Sequence, residues 1–260
     1  MSGPSTRLHV ILLLLALLAG CTSRLPQAAS QGGSDGSAAT QDRPDAASEA
    51  VAGATTATDV ATDAAAVTWR VDEQRSALRL YVYRGGALAR LGHNHVVVAP
   101  LRGVVMIAGD TVTGLDLVTE PADWRIDEPA ERTRAGAGFE SLPDAAAIAG
   151  TRTNMLSAGL LDADRHPLVG IRGRSGPRDG PQDGPRDEAV LPLMLELQLQ
   201  GRTVPLPVAL RVEATEPGWR GHARIRVTHA QLGLTPFSAL GGALKVEEGI
   251  DIDVEIALQR

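Results

Sequence analysis

The sequence predicts an all-β fold with minor helical content, an antiparallel barrel or sandwich, and three observations carry that prediction. The last third of the chain alternates apolar and polar residues with a period of two, the signature of strands with one buried face. Shorter runs of the same kind recur upstream at close intervals, as in antiparallel all-β architectures. Only one segment, between Phe139 and Leu161, departs from this rhythm.

Taken in order, the strands begin with Val67, Trp69 and Val71, continue with Leu78, Leu80 and Val82, then Val96 to Met106 and Val112 to Val118. Ser141, Pro143 and Asp144 precede an alanine-rich stretch and read as a helix start, so one or two short helices are expected there. Residues 175–187 contain a Gly-Pro-Arg-Asp-like low-complexity run, expected as an elongated hairpin loop dispensable for the fold. Leu191, Leu193, Leu195, Leu197 and Leu199 then alternate with polar residues, proline and methionine. Gly201-Arg202 marks a tight connection, and Val204, Leu206, Val208, Leu210 and Val212 repeat the alternation, which predicts a hairpin. Pro205 and Pro207 lie on its other face and, lacking an N–H, predict an edge, a bulge or a local break. Ala223, Ile225 and Val227 give a further strand, and Ile250, Ile252, Val254, Ile256 and Leu258 close the chain. Asp251, Asp253 and Glu255 occupy the polar face of that last strand and read as solubilising surface.

The N-terminus has a different character. The apolar run Val10 to Leu18 follows Arg7 and is too short to cross a bilayer, which takes about 20 apolar residues. It ends in Leu18-Ala19-Gly20-Cys21, which contains the only cysteine. This resembles the bacterial lipoprotein signal, which implies removal of residues 1–20 and acylation of Cys21, palmitate included, as a membrane anchor. The alternative is an ordinary secretory signal that leaves a free thiol. Thr22 after the cysteine implies, by analogy with the sorting rule, the periplasmic face of the outer membrane. Residues 21–66, rich in Ala, Ser, Thr and Gly, read as a disordered tether, and residues 67–260 as one domain.

A net charge of -6 and the absence of a dense basic cluster argue against a nucleic-acid partner. Lys245 is the only lysine among 25 basic residues, a bias that fits a GC-rich genome. No nucleophile elbow, phosphate-binding glycine loop, cysteine pair or His-Glu-x-x-His helix is present, so the expectation is a protein that is not an enzyme and uses no cofactor.

Three stretches together are similar to the YceI-like lipid/polyisoprenoid-binding family. The first is Trp69-Arg70-Val71-Asp72 with Ser76, Leu78, Leu80, Val82, Gly85, Gly86 and Gly92-His93. The second is Met155 through Leu160-Leu161, Asp162, Asp164 and His166-Pro167. The third is Leu195 to Val208 around Gly201. The resemblance spans about residues 67–260 and implies an extended lipocalin-like β-barrel of about eight strands with a lipid or isoprenoid partner. Leu160-Leu161 stand where the family often has paired phenylalanines, and Val169-Gly170-Ile171-Arg172 where it often has a threonine-hydrophobic-phenylalanine strand; both changes bear on the lumen.

In such a barrel the inward residues either pack the interior or line a cavity for one elongated ligand. Aromatic residues make up only 3%, so a lumen would be lined by aliphatic side chains suited to an isoprenoid or quinone-like chain. The candidate ligand-binding residues are Leu78, Leu80, Val82, His93, His95, Leu160 and Leu161. His93 and His95 flank Asn94, and in an extended segment that spacing turns both rings to one side. They could share a metal or serve a haem-linked role, with a third ligand from His166, His229, Asp162 or Asp164. Because a metal site needs three or four convergent ligands, the preferred reading is that His93 caps a turn at Gly92 and His95 begins a strand; alternatively one of them could meet a ligand head group. The Asp162 to His166 run lacks the glycine and terminal glutamate of an EF-hand and reads as a helix end and solvated turn.

Overall fold

The computed structural model describes residues 65–176, 189–216 and 218–260. The signal segment, Cys21, residues 21–64 of the tether and residues 177–187 of the Gly-Pro-rich run lie outside the described residues.

Twelve strands are present among the described residues: β1 (Val67–Val71), β2 (Ala77–Gly85), β3 (His95–Ala99), β4 (Arg102–Ala108), β5 (Thr111–Thr119), β6 (Arg125–Ile126), β7 (Val169–Ser175), β8 (Ala189–Leu199), β9 (Arg202–Thr215), β10 (Gly218–Thr228), β11 (Ser238–Ala239) and β12 (Leu244–Gln259). Helix α1 covers Pro129–Ala135 and helix α2 Ala145–Leu156. All pairings are antiparallel, and β1, β4, β5, β7, β8, β9, β10 and β12 form a ring closed by the β1–β12 pair. The fold is thus an eight-stranded antiparallel barrel.

At the other end of the barrel the long β12 pairs with β2 from Lys245 to Glu255, so β1 and β2 lie end to end beside it. β3 and β4 repeat this arrangement against β2 and β1. The run Val96 to Met106, expected as one strand, is two, because Pro100 follows β3 and cannot donate to a ladder. The two-residue β6 pairs with β3 at Val97 and Val98. Beside it, Met155 of α2 and Leu161 pack with Trp124, Ile126, Val97, Val169 and Leu199, so helix and loop side chains complete the wall there.

Asp144 caps α2 as expected, its carboxylate accepting from the Ala147 N–H at 2.8 Å. The β8–β9 hairpin turns on Gln200 and Gly201, with φ of 50° and 70°, the backbone that a two-residue loop needs. Pro205 and Pro207 pair in register with Glu196 and Met194, so β9 is not an edge on that side. On its other side the ladder with β10 runs only from Arg211 to Thr215, which is the local break that prolines impose.

A second layer covers the outer face of β2 and β3. Phe139 stacks edge-on against Tyr81 and Tyr83 at 5.7 and 5.8 Å, and Val96 and Val98 on β3 are fully buried. The Arg79 guanidinium joins Glu131 of α1 to Glu255 of β12, each at 2.7 Å. Asp251, Asp253 and Glu255 are therefore more than solubilising surface. Tyr83 donates to Asp251 at 2.9 Å, His222 lies 2.6 Å from Asp253, and Glu255 holds Arg79. Burial and the bond to Asp251 push the Tyr83 phenol up to about 12. The sequence pattern gave the direction of these side chains but not the layer they meet.

Candidate functional site

Inside the barrel lies a cavity of about 2040 Å³. Its wall follows from the period of two, because the residues that alternate inward on each strand are Val, Leu and Ile. All seven sequence-predicted residues line it: Leu78, Leu80 and Val82 from β2, His93 two residues before β3, His95 at its first position, and Leu160 and Leu161 after α2. The lumen is therefore open, with Leu160 and Leu161 on its wall. α2 contributes one face, Ala147, Thr151, Asn154 and Met155, spaced as neighbours along a helix.

Polar groups gather where β3 meets α2. His95 Nδ1 lies 2.6 Å from Asp127 Oδ2, and its Nε2 lies 3.4 Å from Thr151 Oγ1. Asp127 is buried, with φ of 56°, and its other oxygen accepts from the Val96 N–H at 3.0 Å and from Arg132 Nη1. Arg132 is buried as well and also donates to the carbonyls of Asn94 and Ser141. Burial alone would raise the Asp127 pKa, but the hydrogen bond and charge of His95, the Val96 N–H and Arg132 outweigh it and hold the carboxyl below its ordinary range. The consequence is an imidazole fixed by a buried ion pair and turned toward an aliphatic lumen.

His93 and His95 approach edge to face at 6.3 Å between centroids. Both His95 nitrogens face other partners. His166 sits against the Gly201 turn, and His229 Nδ1 is 3.0 Å from the Glu248 carbonyl. Asp162 accepts from Arg165 in its own turn. Among the described residues no three His, Cys, Asp or Glu side chains are grouped to hold a metal.

Sequence reasoning missed Asp127, Arg132 and Thr151. Asp127-Glu128-Pro129 reads as a turn leading into a helix, and α1 lies before the segment where helix was expected. The i, i+4 relation of Ala147 and Thr151 was a legible signal for Thr151, once a helix starting at Asp144 was accepted.

No family model matches the chain, and no curated protein matches it. Among solved structures, it is similar to a polyisoprenoid binding domain from Saccharophagus degradans implicated in plant cell wall breakdown. That domain is 12% identical with a TM-score of 0.48, over 74% of this chain and 97% of that one. It is also similar to Burkholderia cenocepacia BcnA, 8% identical with a TM-score of 0.43, over 73% of this chain and 99% of that one. Likenesses this distant carry no inference about a ligand, and the barrel stands on its own strand pairings.

Proposed function

We propose that this chain is a membrane-tethered periplasmic lipoprotein whose barrel binds one amphiphilic lipid, an isoprenoid or quinone-like chain, and stores, shields or carries it without turnover. The observation that carries this reading is the aliphatic cavity of about 2040 Å³, larger than the roughly 300–1,000 Å³ of an ordinary small-molecule pocket. Burying apolar surface there contributes about 25 cal/mol per Å², so a long unbranched or prenyl chain gains most from it. The Leu-Ala-Gly-Cys signal supports the anchor, with Cys21 acylated and the tether letting the barrel stand off the periplasmic face of the outer membrane. The three stretches similar to the YceI-like family support the same ligand class.

Native mass spectrometry of the full chain, expressed in a bacterial periplasm and extracted in detergent, tests the proposal. The expected result is a one-to-one adduct that organic extraction identifies as a polyprenyl lipid or quinone, together with acyl chains on the N-terminal fragment at Cys21. A chain that purifies empty and stays empty when isoprenoids are offered would overturn the lipid reading; an unmodified Cys21 would overturn the anchor.

A further inference from the structure

Leucine is a costly residue for position 240. Its backbone is left-handed, with φ of 52°, a conformation that sets Cβ against the following carbonyl oxygen and that glycine or asparagine adopts more cheaply. Its side chain is also 60% exposed, so burial within the chain returns little of that strain. Leu240 opens a single helical turn, Leu240–Gly242, which is joined to a second one, Ala89–Leu91, by the Leu88 N–H donating to the Ala243 carbonyl at 2.7 Å. Leu91 on that second turn is 61% exposed, and Phe237, just before β11, is 44% exposed. Three large apolar side chains are thus presented to solvent at one end of the barrel, where Lys245 of β12 pairs with Gly85 of β2. Exposed apolar clusters of this kind mark contact surfaces. Cations flank them, because Arg84, Arg90 and Lys245 are all exposed. The neighbouring carboxylates are engaged: Glu248 accepts from the Ala230 N–H at 2.7 Å, and Glu247 lies half-buried against Gly85. The cavity reaches this end, since Phe237, Arg84 and Lys245 lie on its wall.

We propose that this rim seats on an anionic lipid bilayer, with Leu91, Phe237 and Leu240 entering the acyl boundary and Arg84, Arg90 and Lys245 meeting the head groups. Apolar side chains gain by leaving water for that boundary, and each cation near an anionic surface adds to the attraction. A bilayer fits the rim better than a protein does, because the apolar wall of the cavity continues into it. A lipid leaving the bilayer would pass between the three side chains into the lumen without crossing water. The opposite end of the cavity mixes Asp110 and Glu213 with Arg211 and Arg220, a balance that gives an anionic surface little net attraction. The chain from Cys21 to Val67, at up to about 3.3 Å per residue, reaches farther than the roughly 50 Å of the sixteen-residue β12. An anchor at Cys21 therefore leaves the barrel free to present this end. Docking goes beyond lumen binding and uses that reading only for the passage it serves.

Quenching of tryptophan emission by bromine tests this, with the full chain reconstituted in vesicles of brominated phosphatidylcholine and phosphatidylglycerol. Two reporter chains are compared with the wild type, whose 3 tryptophans give the background. One carries Leu91→Trp on the rim, and the other Met194→Trp, a position 47% exposed on β8. Neither position lines the cavity, so a lipid held in the lumen does not report. The expected result is strong quenching of the added emission for Leu91→Trp and none for Met194→Trp. Adding Phe237→Ser and Leu240→Gly to the Leu91→Trp chain should cut the ratio of docked to free barrels about tenfold, because two apolar anchors are lost. Glycine suits the left-handed backbone at 240, so the urea midpoint should hold. Arg90→Glu with Lys245→Glu removes attraction without touching the apolar residues and should lower the same ratio, as should omission of phosphatidylglycerol. Equal quenching at the two reporters, or rim quenching that survives both pairs of substitutions, overturns docking and leaves lumen binding standing. Rim quenching in a chain that takes up no lipid supports docking and overturns lumen binding alone.

Discussion

Asp127 receives hydrogen bonds from the Val96 N–H and Arg132 and faces the His95 ring, so the fold depends on its charge. Its carboxyl is held below the ordinary value of 3.8 in the folded chain and is released to that value on unfolding. A depressed folded pKa means that the unfolded chain binds the proton more tightly. The contribution is therefore complete above 3.8 and is lost as pH falls through the folded value. Urea unfolding at a series of acid pH values should show this loss below about pH 4, and Asp127→Asn should flatten it. At neutral pH the same substitution strands the buried Arg132 charge and should cost about 3 kcal/mol. Single residues were unevenly legible. His95 could be chosen from its spacing to His93, whereas Asp127 sits in a sequence that reads as a turn. Its importance comes from a left-handed backbone that turns the carboxylate inward.

At the scale of elements, the period of two identified the strands because each has one face on the lumen and one outside, so polarity alternates. The helices were less legible. α2 was found by its cap, Asp144, but α1 was not, because a seven-residue helix has too few turns to show a stripe. Close pairing of elements was hidden as well. Gly103 of β4 has φ of 138°, and a Cβ there would lie 2.2 Å from the Asp116 carbonyl oxygen on β5. Gly103→Ala should therefore force β4 and β5 apart and destabilise the chain by about 3 kcal/mol, read as a lowered urea midpoint. Alanine at Gly109, where nothing lies within 4 Å but φ is 59°, should cost less, about 1 kcal/mol.

For the whole molecule, the decisive property is that the closed ring encloses a cavity of about 2040 Å³ alongside its two clusters of buried hydrophobic side chains. Overfilling a packed core typically costs about 1–3 kcal/mol per added group. An open lumen should tolerate bulk, so Leu80→Trp combined with Leu206→Trp, both on the cavity wall, should leave the unfolding midpoint nearly unchanged. The same pair should weaken binding of a long prenyl chain by about tenfold or more, because the volume that chain needs is taken. A midpoint that drops sharply would mean that these leucines pack as an ordinary core. By itself the sequence determined the all-β class, the inward and outward face of most strands, the β8–β9 turn, the interruption at Pro205 and Pro207, and the aliphatic character of any interior. These are local properties, set by side-chain alternation and backbone dihedrals within a few residues. Only the tertiary structure decided that the interior is open, that α1 and Phe139 cover the outer face, and that His95 meets Asp127 and Thr151. Those partners lie 32 and 56 residues away along the chain. Their meeting, like the enclosed volume, depends on how the ring closes and how opposite walls are spaced, which no local pattern encodes.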